Sequence, residues 1–245
     1  LNNDKLIVAL DVSSEKEAIA IVEQLGDQVN YYKVGMELFY SAGPEIIKKL
    51  RKYDKQVFLD LKCHDIPNTV AKTGKVLTEL GVSMFNLHIS GGREMMERTV
   101  EHVQNKAEHL GITPPKILGV TILTSIDNET FQKEIGFSGS IEQKVKEYAL
   151  LAKSSGLDGV VASAKEAAII SEACPENFSI VTPGIRPKFS TKGDQKRTLS
   201  PKEALQKGST HLVIGRPITG YHDRESKIHA VSKIYEEMFN YEGGF

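Results

Sequence analysis

Eight short apolar runs, each followed by a stretch of helical periodicity, constrain this chain more than any other feature. The runs are Leu6–Leu10, Tyr31–Met36, Gln56–Leu61, Ser83–Ile89, Lys116–Leu123, Gly159–Ala162, Ser179–Val181 and His211–Ile214. The helical patterns after them cover Ser13–Leu25, Pro44–Tyr53, Pro67–Leu80, Arg93–Leu110, Ile141–Ser155, Ala164–Cys174, Pro201–Lys207 and Glu225–Met238. Ser14 with Glu17 three residues later has the spacing of a capping box, and Pro67 suits a first helical turn. Near-continuous apolar strands are buried on both faces, as in a parallel sheet covered by crossover helices. Eight such units in 245 residues match the size of a (β/α)8 TIM barrel; a doubly wound open sheet is the alternative. No stretch reads as a linker. Residues 1–245, 40% hydrophobic, are expected to form a single α/β domain around one large core.

In such a barrel the chemistry lies at the C-terminal ends of the strands. Here those ends carry Asp11, Lys33, Asp60 with Lys62, His88, Thr121 with Thr124, Ser163, Pro183-Gly184 and Gly215-Arg216. A barrel built for stability alone does not need polar groups at nearly every one of these positions. The densest cluster is DLKCHDIPNT, Asp60–Thr69. Strand residues i and i+2 point to one side, so Asp60 and Lys62 are expected to share a face while Leu61 packs. Lys33 ends the adjacent strand, and Asp65 lies past the strand end, able to bend back or reach a neighbouring molecule. Carboxylates nearby favour the ammonium form of Lys62, suited to donating a proton rather than to forming a Schiff base. A solvated ion pair would account for this triplet alone, but not for the other strand ends. His88 reads as a hydrogen-bonding support. Cys63 reads as packing, since no histidine is fixed beside it in a nucleophilic arrangement.

The loops after the seventh and eighth strands, where many barrels bind phosphate, read TPGIRP (Thr182–Pro187) and IGRPIT (Ile214–Thr219). Each offers a glycine for close backbone approach and an arginine for bidentate contact with phosphate oxygens. Between them, KFSTKGDQKR (Lys188–Arg197) has the composition of a lid that could add a contact such as Gln195.

Charge and cysteine usage narrow the partners. Lysine plus arginine (31) nearly balances aspartate plus glutamate (32), which gives no pointer to nucleic acid or a membrane. Cys63 and Cys174 have neither metal-ligand spacing nor a disulfide framework, so a reducing, cytoplasmic setting is expected. The longest apolar stretch, Ile117–Leu123, is too short for a bilayer, and the N-terminus lacks a signal-peptide pattern.

Taken in order, ALDV around Asp11, KVG at Lys33–Gly35, DLKCHDIPNT, TPGIR and IGRPIT resemble the orotidine 5′-monophosphate decarboxylase family over essentially the whole chain. The resemblance implies a cofactor-free enzyme of pyrimidine synthesis that converts orotidine monophosphate to UMP and carbon dioxide. It also implies a homodimeric barrel with active sites at the interface. Lys33, Asp60, Lys62 and Asp65 would form the charged network, with Asp65 and Thr69 reaching into the partner's site. Asp11 and Lys33 would bind ribose hydroxyls, Thr124 and the backbone near Pro183 would meet the pyrimidine, and Arg186, Gln195, Gly215 and Arg216 would hold the phosphate. Two rivals remain at this stage. One is a metal-dependent phosphosugar decarboxylase or aldolase on a related barrel, which would want additional carboxylates and sits poorly with Lys33. The other is a non-catalytic sensor of phosphoribosyl ligands, which would not need Lys62 with both aspartates.

Overall fold

The computed structural model describes residues 3–190 and 199–239. All eight expected strands form: β1 (Leu6–Leu10), β2 (Tyr31–Gly35), β3 (Gln56–Cys63), β4 (Met84–His88), β5 (Lys116–Val120), β6 (Gly159–Val161), β7 (Ser179–Thr182) and β8 (His211–Ile214). They pair in parallel in sequence order, and β8 returns to β1 to close the barrel. Val8 of β1 lies opposite Tyr32 of β2 and Ile214 of β8. The helices are α1 (Glu15–Leu25), α2 (Met36–Ala42), α3 (Glu45–Lys52), α4 (Pro67–Leu80), α5 (Arg93–Leu110), α6 (Ile141–Ser154), α7 (Ala167–Ala173), α8 (Pro201–Gln206), α9 (Arg216–Thr219) and α10 (Arg224–Phe239).

Two separate apolar clusters follow from the two-residue period of the strands. Ile7, Ala9, Tyr31, Phe58, Met84, Leu118, Val181 and Val213 pack with one another inside the barrel. The alternate residues, such as Leu6, Val8, Leu10, Tyr32, Val34, Val57 and Leu59, join the larger core beneath the helices. Extending the inward rows by one step toward the C-terminal ends brings Asp11, Lys33, Asp60 and Asn86 to one rim. The apolar filling of the barrel thus supplies a low-dielectric floor for a ring of polar side chains.

Helix starts follow local chemistry. The Ser14 hydroxyl accepts from the Glu17 amide at the head of α1, Pro67 opens α4, and Ser200 with Glu203 forms a full capping box on α8.

Three departures from the sequence-based expectation matter. An additional helix, α2, precedes the expected helix over 44–53: Leu38 is buried on its inner face, and Gly43 ends it at φ 70°, a conformation that favours glycine. β5 stops at Val120 rather than Leu123, because the chain turns out of the barrel after Thr121, whose hydroxyl donates to the Val161 carbonyl at 3.0 Å. The polar loop expected after it carries its own small core, with Phe131 fully buried and stacked on Phe137 at 4.9 Å. The third departure, in β3, shapes the site itself.

Candidate active site

β3 does not run as a regular strand to its end. Leu59 pairs with Phe85 of β4 and Cys63 with Leu87, so four residues of β3 span two of β4. The excess is absorbed over Asp60–Lys62, and Lys62 takes φ 52°, rare for a residue with a side chain. The i, i+2 argument from an ideal strand is therefore not the reason these two side chains meet. A bulge turns them toward each other, and Lys62 Nζ lies 2.6 Å from Asp60 Oδ1. Leu61 and Cys63 pack against the outer core, as expected, and burial pushes the Cys63 thiol pKa up, away from a reactive thiolate.

Asp60 is the hub. Its Oδ1 accepts from Lys62 Nζ and from Asn86 Nδ2 at 2.7 Å, and its Oδ2 lies 3.6 Å from Lys33 Nζ. Lys33 donates in turn to Asp11 Oδ1 at 2.8 Å. Burial alone would raise the Asp60 pKa, but the Lys33 and Lys62 charges and the hydrogen bonds from Lys62 and Asn86 outweigh it and hold the carboxyl below its ordinary value. Gly35 leaves room for this chain of charges: a Cβ there would lie 3.0 Å from Lys33 Nζ. At Gly215, on the other side, a Cβ would make only ordinary contact, 3.5 Å from Asp11 Oδ2. The loop after β8 thus abuts the Asp11 end of the network.

Of the residues singled out in the sequence, Asp11, Lys33, Asp60 and Lys62 come together, with Gly215 beside them. Asp65 does not join them within this chain. It is exposed on the β3–α4 connection and its Oδ1 accepts from the Ile66 amide at 2.7 Å. Thr69, in the first turn of α4, is exposed as well. Thr124 is exposed on the β5–α6 connection; Pro183 follows β7, half-buried. Arg186 donates to the Ile185 carbonyl at 3.0 Å, and Arg216 is the exposed first residue of α9. Gln195 lies outside the described residues. His88 stacks at a tilt beside His64, ring centres 5.3 Å apart, and burial, then the His64 and Lys62 charges, lower its pKa. Sequence reasoning missed Asn86, which is fully buried in β4. Its signal was present: one amide inside the apolar run MFNLH.

The arrangement presents an ammonium in contact with a partly buried carboxylate, a second lysine–aspartate pair beside it, and glycine-arginine loops at the ends of β7 and β8. Known proteins are similar to this chain over nearly its whole length. The chain is 48% identical over 236 residues to an orotidine 5′-phosphate decarboxylase of Syntrophomonas wolfei, covering 96% of this chain and 98% of that protein. It is likewise 48% identical to the protein of that name from Carboxydothermus hydrogenoformans, covering 96% of each. The crystal structure of orotidine 5′-phosphate decarboxylase from Lactobacillus acidophilus superposes with a TM-score of 0.85 at 38% identity, over 96% of this chain and 99% of that one. Residues 4–231 match the model of a single family, and the chain belongs to it: the orotidine 5′-phosphate decarboxylase / HUMPS family.

Proposed function

We propose that this chain decarboxylates orotidine 5′-phosphate through the charged network at its strand ends, with Lys62 as the proton donor. The activity, conversion of orotidine 5′-phosphate to UMP in pyrimidine biosynthesis, a carbon–carbon lyase reaction, follows from membership of the family and from relatives at 42–48% identity that carry that name. The observation that supports the residue roles is the 2.6 Å contact between Lys62 Nζ and Asp60 Oδ1. Loss of carbon dioxide from C6 of the pyrimidine leaves an electron pair with no neighbouring carbonyl to take it up. An ammonium fixed beside C6 stabilises that charge and then delivers its proton to it. Asp60 holds the donor in place, and Lys33 with Asp11 binds the ribose hydroxyls. Thr124 and the backbone at Pro183 meet the base. Arg186, Gln195, Gly215 and Arg216 hold the phosphate, whose binding energy, far from C6, favours the closed complex in which the reaction occurs. No cofactor takes part.

The working unit in this reading is a homodimer in the cytoplasm. Asp65 and Thr69 are exposed on a segment beyond β3, next to Ile66, which is 68% exposed. On the adjacent unit, α2 exposes Met36 and Tyr40. A second copy covering these apolar side chains would receive Asp65 and Thr69 into its own site. Among the described residues no helix is long and apolar enough to cross a membrane. The test is the ultraviolet absorbance change on loss of orotidine 5′-phosphate, followed after exhaustive chelation. Turnover that persists supports the reading; turnover abolished by chelation and restored by a divalent ion favours the metal-dependent rival, and tight UMP binding without turnover favours a sensor.

A further inference from the structure

Asn86 occupies a place in β4 where an apolar side chain would be the ordinary choice. It is fully buried, and both halves of its amide are engaged. Oδ1 accepts from the Lys62 backbone N–H at 2.8 Å, and Nδ2 donates to Asp60 Oδ1 at 2.7 Å, the same oxygen that receives Lys62 Nζ. The bulge explains the need. With β3 out of register between Leu59 and Cys63, a side chain stands in for the ladder as acceptor for the Lys62 amide. That amide belongs to the residue at φ 52°. We propose that Asn86 is a positioning residue for the decarboxylation, fixing at once the peptide that carries Lys62 and the carboxylate that aims its ammonium. This rests on the reading of Lys62 as proton donor.

Asparagine suits the task for a chemical reason. It places a donor and an acceptor side by side on one short planar group. Aspartate keeps the acceptor but sets a second carboxylate against Asp60, and leucine keeps the approximate shape but provides neither. The groups facing Asp60 are Lys62 from its own strand, Lys33 from β2 with Asp11 behind it, and Asn86 and His88 from β4, with His64 against His88. Burial pushes the Asp60 pKa up, and the Asn86 hydrogen bond is among the contacts that bring it down. Loss of that donor raises it, and an acid at position 86 would share one proton with Asp60, so that the pair titrates in two steps.

The experiment compares wild type, Asn86→Leu and Asn86→Asp. It measures kcat for orotidine 5′-phosphate across pH, the dissociation constant of UMP, and thermal unfolding. Wild-type turnover comes first: its absence would overturn the decarboxylase reading itself. Asn86→Leu is expected to lower kcat by about 10- to 100-fold, the scale of a catalytic group misplaced by about 1 Å, while UMP affinity changes by less than about threefold, since the proposed ribose and phosphate contacts are untouched. In Asn86→Asp the two acids share one proton, so the protonated side chain keeps both bonds and turnover recovers beyond Asn86→Leu at low pH, then falls as the pair loses that proton and two carboxylates face each other at the 2.7 Å contact. Should the leucine variant fail to fold, the nearly isosteric aspartate variant carries the test through its pH profile alone. The proposal is overturned if Asn86→Leu keeps kcat within about twofold of wild type, or if UMP affinity falls as far as kcat. An Asn86→Asp profile with the same shape as wild type overturns it as well.

Discussion

Replacing Lys62 by alanine and by glycine separates its chemistry from its backbone. Both variants lose the ammonium and its contact with Asp60, so the ion pair cancels when the two are compared. Both keep the backbone N–H that donates to Asn86. What differs is the cost of φ 52°. For a residue with a Cβ, left-handed backbone costs about 1–2 kcal/mol. Glycine escapes that cost but loses about 0.5–1 kcal/mol relative to alanine through the greater freedom of its unfolded chain. The difference leaves Lys62→Gly more stable than Lys62→Ala by roughly 0–1.5 kcal/mol, centred on about 0.75, the reverse of the order at an ordinary strand position. Urea titration at pH 7, followed by circular dichroism, reads this as a higher midpoint for glycine at equal slope. Turnover assays on the same samples should find both variants reduced by several factors of ten, each worth about 1.4 kcal/mol of barrier. An alanine variant more stable than glycine refutes the argument that the bulge strains Lys62. Either variant retaining more than about a tenth of wild-type turnover refutes its role as proton donor.

Asp60→Asn leaves two lysines facing each other, and losing the carboxylate from this partly buried pairing costs about 1–3 kcal/mol at neutral pH. Because the folded-state pKa of Asp60 is depressed, its contribution is fully present above the unfolded value near 3.9 and is lost as pH falls through the folded value. Melting curves of the variant and wild type should therefore converge only below about pH 4, and a gap unchanged by acid would contradict the assignment. Mixing Lys62→Ala with Asp65→Ala chains should restore activity, since a heterodimer assembles one site with neither defect; verified heterodimers as inactive as their parents would rule out the shared site. Arg216→Ala should lower kcat/KM for orotidine 5′-phosphate by about one to two decades, the worth of a charge-assisted hydrogen bond. It should barely change kcat/KM for orotidine, which lacks the phosphate, and an equal loss on both substrates would place Arg216 in support of the barrel instead.

The barrel was legible because its signal is periodic. Eight buried strands leave eight apolar runs, and the polar residue ending each run marks the rim where Asp11, Lys33, Asp60 and Lys62 meet. Exceptions to that period were harder to read. Nothing in DLKC announces that four residues of β3 will span two of β4, because a bulge is decided by pairing with a strand more than twenty residues away. Asn86 was passed over for the same reason: its function lies in a bond to that bulge, invisible while β3 is imagined as straight. Helix α2 was missed because a single buried residue, Leu38, anchors it, too few for a periodic pattern to register. Asp65 marks another kind of limit, since its proposed partner site belongs to a second copy of the chain.

The same geometry weighs against a metal at this rim. Asp11 and Asp60 would be natural oxygen ligands for a divalent ion, but Lys33 Nζ stands between them, 2.8 Å from one and 3.6 Å from the other. A dication placed about 4 Å from that ammonium would meet roughly 8 kcal/mol of repulsion at an effective dielectric constant of about 20, before Lys62 on the far side of Asp60 is counted. Two ammonium groups thus occupy the positions a metal would need. They also offer what a metal ion lacks. A dication stabilises a developing carbanion but has no proton to give it, whereas in the proposed reaction the Lys62 ammonium would supply both the charge and the proton, from a backbone that the bulge bends toward Asp60.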